Sequence, residues 1–146
     1  MISVAPPRAA ILLGYTGLLP AAACCLALLV GPTAWRAAAL HLHALYAASI
    51  LSFIGGTWWG LASARSPADR LPFVLGASVL PSLAGWAVAA VGGAAAMLGL
   101  ALLFAAVLPF DARLIRTGVA PPWWLALRRP LSIGMALLAA VAATTL

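Results

Sequence analysis

Residues 37–62 read AAALHLHALYAASILSFIGGTWWGLA, a run without a single charged side chain. As a helix rising 1.5 Å per residue it reaches ~39 Å, more than a ~30 Å hydrocarbon core requires. A run this long and apolar predicts a membrane span, with tilt or protrusion absorbing the excess length. Trp35 and Arg36 stand before it and Arg65 after it, polar and aromatic markers of two membrane surfaces.

The rest of the chain has the same character. Hydrophobic types make up 66% of the 146 residues and charged types 7%, with a mean hydropathy of +1.14. Soluble domains carry about a quarter charged residues, which cover their surface. The predicted fold class is therefore all-α, a polytopic helix bundle of about five transmembrane helices in one integral membrane domain, residues 1–146. The charges are eight Arg and two Asp, a net +6, with no Lys and no Glu. The arginines sit at the ends of apolar runs and form no reading face for nucleic acid. Membrane lipids, with anionic headgroups on the inner side, are the predicted partners. Abundant Ala, Gly and Pro, with Arg in place of Lys, suggests a GC-rich bacterial genome.

Five spans follow from the apolar runs: about 9–30, 37–62, 71–91, 94–110 and 130–146. Arg8 ahead of the first run raises the question of a signal peptide, but the run is long for one and reads as a retained span. Pro20 and Pro81 are expected to bend spans one and three, Gly92-Gly93 punctuates the chain, and Pro109 closes span four. In this reading Arg8, Arg65, Arg70, Arg113, Arg116, Arg128 and Arg129 share one side, and Arg36 alone takes the other. The positive-inside rule then places the N-terminus in the cytoplasm and the C-terminus outside, in a bacterial inner (plasma) membrane crossed several times. Trp58 and Trp59 at the inner end of span two, and Trp123 and Trp124 in a connector over 111–129, read as interfacial anchors. With Arg113, Arg116, Arg128 and Arg129 they are predicted to meet lipid headgroups.

Span two also carries small residues every four positions: Ala44, Ala48, Ser52, Gly56 and Gly60. The Gly56-x-x-x-Gly60 spacing lets helix backbones approach closely, and Gly55 widens the groove. Ala48, Ser52, Gly55, Gly56 and Gly60 are thus the candidate helix-packing stripe, or a binding groove.

Catalytic chemistry is not expected. His41 and His43 are two apart on a helix and point about 200° apart, so they cannot share a metal. Cys24 and Cys25 are adjacent in an apolar run and make no disulfide framework. Asp69 is compensated by Arg65 and Arg70, and Asp111 opens the connector near Arg113. No Asp, Glu, Lys or Arg falls in mid-membrane, which argues against an ion-coupled transporter. No nucleophile stands beside a base and an orienting acid. No cofactor and no metal is predicted.

Gly14-Tyr15-Thr16-Gly17-Leu18-Leu19-Pro20 resembles the opening signature of the transmembrane-protein-69-like family of inner-membrane proteins. Tyr46 to Gly60 is similar to that family's second motif, a Ser-Phe-aliphatic-Gly-Gly core followed by Trp-Gly. Leu80-Pro81-Ser82 and the set Pro122, Trp124, Leu127 and Arg128 also look similar. The residue before Trp59 is often His or Arg in that family and is Trp58 here. The resemblance implies five spans in a bacterial or mitochondrial inner membrane and transfers no activity.

The functional expectation is a small non-enzymatic accessory subunit or assembly factor of a respiratory or photosynthetic inner-membrane complex, with other membrane subunits as partners. The alternative is a lipid- or quinone-binding protein, or small-molecule carrier, acting as an oligomer through a groove beside Gly55 and Gly56.

Overall fold

The computed structural model describes residues 5–145, so residues 1–4 and 146 of the predicted domain lie outside it. The helices are α1 (Arg8–Thr16), α2 (Leu19–Val30), α3 (Arg36–Arg65), α4 (Leu71–Val91), α5 (Gly93–Arg116) and α6 (Trp124–Thr144), with a short 3-10 turn at Thr33–Trp35. No strand occurs among the described residues. Five segments are long and apolar enough to cross a membrane, α1 and α2 together making the first. The all-α, five-span fold class is as the apolar runs predicted.

Span one is interrupted just ahead of its proline. Pro20 sits in the first turn of α2, where a missing N–H breaks no helical bond. The break falls at Gly17-Leu18, where the Leu18 N–H turns back to the Tyr15 carbonyl at 3.0 Å. The Tyr46 hydroxyl donates to the Gly17 carbonyl at 2.5 Å and ties this break to α3.

Helix α3 runs 30 residues, ~45 Å, and is the spine of the bundle. Its buried positions Ala44, Ala47, Leu51, Ile54, Trp58 and Ala62 recur at steps of three and four, one face of a helix. That face packs chiefly on α4, while α5 packs chiefly on α6 and α2 bridges α3 and α6. Leu28, Leu51, Ile54, Met97, Leu100 and Phe104 fill the middle of the core.

Two turns depend on glycine. Gly92 and Gly93 both take positive φ, 73° and 64°, and join α4 to α5 in a minimal connection. A Cβ at either would meet nothing within 4 Å, so the whole cost of a substitution is backbone strain. Gly92→Ala or Gly93→Ala is expected to lose about 1–2 kcal/mol each, read as a shift in denaturant unfolding in micelles. Gly76→Ala, in the open interior of α4, serves as the reference and should be neutral or mildly stabilising.

The third positive-φ glycine, Gly118, closes α5 in a Schellman motif. The Val119 N–H reaches the Leu114 carbonyl at 2.9 Å and the Gly118 N–H reaches the Ile115 carbonyl at 3.0 Å. This cap corrects the predicted connector over 111–129. Helix α5 continues through Pro109 to Arg116, and α6 starts at Trp124 and contains Pro130, leaving only residues 117–123 between them. Each proline removes one helical hydrogen bond and leaves the turns on both sides intact, which a packed membrane helix tolerates.

Candidate functional site

Extending α5 and α6 brings their charges into the bundle. Asp111 lies on the inner face of α5 and is 0% exposed. Its Oδ1 accepts the indole N–H of Trp58 at 2.8 Å and that of Trp124 at 2.7 Å. Its Oδ2 accepts Nε–H of Arg128 at 3.1 Å, a buried ion pair. Three side chains from α3 and α6 thus converge on one carboxylate of α5. The Phe110 ring stacks at a tilt on Trp58, centroids 4.4 Å apart.

This placement overturns two readings. Asp111 lies in a helix, paired with Arg128 rather than near Arg113 in a loop, and the pair sits toward one end of the bundle. Trp58 and Arg128, predicted to meet headgroups, are 3% and 9% exposed and point inward. The physical reason is reciprocal: a buried carboxylate needs several donors, and these two residues with Trp124 are the donors that α3 and α6 place within reach.

The remaining headgroup candidates stay outside. Arg113, Arg116 and Arg129 are exposed, Trp59 is half-exposed, and Trp123 packs at a tilt on Trp124 with ring centroids 5.9 Å apart. Arg113 also lies over the Phe73 ring of α4, its guanidinium carbon 4.9 Å from the centroid. Asp69 pairs loosely with Arg70 at 3.8 Å, both largely exposed.

The small-residue stripe divides. Ser52 Oγ meets Ser82 Oγ at 2.9 Å, Ala48 lies against Gly85 of α4, and a Cβ on Gly55 would run into the Ser78 carbonyl oxygen. Gly56 and Gly60 turn out of this contact and are exposed, and a Cβ added at either would meet nothing within 4 Å. Four residues advance a helix by 400°, so a step of four drifts about 40° per repeat and about 120° from Ala48 to Gly60. The groove predicted beside Gly55 is therefore filled by Pro81 and Ser78.

His41 is exposed, while His43 is completely buried. Its Nδ1 lies 3.7 Å from Cys25 Sγ, and the Cys25 thiol donates to the Leu138 carbonyl at 3.1 Å, linking α2, α3 and α6. No group of three or more metal-ligating side chains occurs among the described residues.

A profile of proteins of unknown function, DUF3429, matches residues 6–144. The chain belongs to the DUF3429 family. No curated protein and no solved structure matches it significantly. The DUF3429 match spans nearly the whole chain, so it takes in both the Asp111 cluster and the α3–α4 contact. In this DUF3429 bundle the carboxylate is fully engaged by its three donors, whereas the guanidinium is not. Arg128 Nη2 is buried without a hydrogen-bond partner in the chain, as is Ser132 Oγ one turn further along α6. The chemistry left open at this site is hydrogen-bond donation to an acceptor from outside the chain.

Proposed function

We propose that the protein is a non-enzymatic subunit or assembly factor that packs within a larger inner-membrane complex of the respiratory or photosynthetic kind. The observation that carries this reading is the outward face of α3. Gly56 and Gly60 lie one turn apart, exposed and without neighbours, on the longest helix of the bundle. Such a face lets a foreign helix approach backbone to backbone, which drives association in lipid where apolar area alone does not. The resemblance of the Gly14–Pro20 and Tyr46–Gly60 segments to an inner-membrane family supports the same membrane.

The test is purification from native membranes in mild detergent, with mass spectrometry of what copurifies. Wild type is expected to bring a stoichiometric membrane complex with it. The double variant Gly56→Leu/Gly60→Leu should lose that complex while its own thermal stability does not fall, because both exposed helix-interior glycines give way to a better helix former. Recovery of a bare monomer from wild type would sink the proposal.

A further inference from the structure

Two clefts adjoin between α1, α3 and α6, of about 290 Å³ and about 110 Å³. They share Leu13, Gly14, Phe53, Arg128 and Leu131 and so form one continuous groove. The wider part starts at Trp123 and Trp124, and the narrower part reaches Ser132 and Met135. From Trp123 to Met135, α6 rises ~18 Å at 1.5 Å per residue. That is a little over half of a ~30 Å hydrocarbon core, the depth of one leaflet.

The groove is walled almost wholly by apolar side chains. Two buried polar atoms on its walls lack a partner, Arg128 Nη2 and Ser132 Oγ, on residues 9% and 1% exposed. They lie four residues apart on α6 and so face the same side. A buried donor without an acceptor is costly, and an acceptor supplied from outside recovers that cost. The acceptor's charge follows from Asp111. The guanidinium is already neutralised by that carboxylate at 3.1 Å. An anion here would leave an uncompensated negative charge in a low-dielectric site, whereas a carbonyl oxygen satisfies the free N–H at no charge cost.

We propose that this groove is a binding site for one glycerolipid, with an acyl chain lying along α6 and its ester carbonyl accepting from Arg128 and Ser132. A lipid entering at the Trp123 end has its glycerol ester region beside Arg128, and its acyl chain runs on past Met135 parallel to the helices, as in the bilayer. Its phosphate stays toward water, where Arg129 is exposed. The site is lined by Phe53 and Thr57 of α3 and does not depend on any partner at Gly56 and Gly60.

The experiment uses full-length protein purified in mild detergent and stripped of lipid. It is titrated with a diester phosphatidylglycerol and with the diether lipid of the same headgroup, and bound lipid is counted by native mass spectrometry. The expected result is one retained diester lipid per chain, with the diether bound about tenfold to a hundredfold more weakly. That ratio is the worth of a hydrogen bond from a charged donor. The headgroups are identical, so headgroup contacts cancel. Thr57→Phe and Ser132→Leu, which fill the groove, should lose the lipid, and Ile133→Phe, on an exposed position of α6, should keep it. The ester–ether comparison needs no variant and stands if a groove-filling chain fails to fold. Equal retention of the two lipids, a graded shell with no single preferred stoichiometry, or an isoprenoid quinone copurifying in the groove would each overturn the assignment.

Discussion

Asp111→Ala is expected to destabilise the bundle by about 3–5 kcal/mol, the cost of leaving the other half of a buried ion pair unpaired. The substitution strands the Arg128 guanidinium, which is 9% exposed, and takes the acceptor from the indole N–H groups of Trp58 and Trp124. Arg128→Leu should cost a similar amount by stranding the carboxylate. The double replacement Asp111→Leu/Arg128→Leu should be less harmful than either single change, because it removes both charges along with the need to solvate them. Trp58→Phe keeps the ring against Phe110 and loses one donor to a carboxylate, for about 1.5–3 kcal/mol. Unfolding of the reconstituted protein by denaturant or steric trapping reads all four. An Asp111→Ala chain within 1 kcal/mol of wild type, on the scale used for surface changes, would mean that the cluster is hydrated and does not hold α3, α5 and α6 together.

Gly55→Ala should cost about 1–3 kcal/mol, and Gly55→Leu more, through overpacking. The atom a new Cβ would strike is the Ser78 carbonyl oxygen, with Pro81 Cδ at 3.7 Å behind it. Backbone cannot rotate aside as a side chain can, so α4 as a whole must back away from α3. That movement would also pull Ser82 from Ser52, now 2.9 Å apart, and Gly85 from Leu51. Gly56→Ala is the paired control. It sits one residue further on, in open space, and should be neutral or gain up to about 1 kcal/mol from helix propensity. If the two alanines behave alike, α3 and α4 do not meet at Gly55.

The candidate site was half legible in the chain. Size and spacing alone mark Ala48, Ser52 and Gly55 as a packing stripe or a groove, because close approach demands small residues whatever the partner. Gly56 and Gly60 were grouped with them by a period of four, which a 3.6-residue helix cannot hold over three repeats. Asp111 and Arg128 fall in the polar connector over 111–129 when Pro109 and Pro130 are taken as helix boundaries. One signal could have moved those ends. Arg113 and Arg116 followed by Gly118 is the pattern of a helix's last turn and its left-handed cap, and it points to a helix running past Asp111. Trp58 gained its role only in three dimensions. Its indole N–H is one of the donors that the buried carboxylate needs.

By itself the sequence determined the solvent, the number of apolar spans and the all-helical class. These depend on quantities that add along a chain: hydropathy, run length and the obligation of every backbone group in lipid to bond within its own helix. Only the tertiary structure decided that Asp111 faces Arg128, that His43 is buried beside Cys25, and that the free guanidinium nitrogen borders a groove between α1, α3 and α6. Those facts depend on which face each helix turns inward. In lipid almost every face is apolar, so hydrophobic periodicity carries little of that information, and the facing is set instead by close packing at Gly55 and by the few polar groups that must find each other.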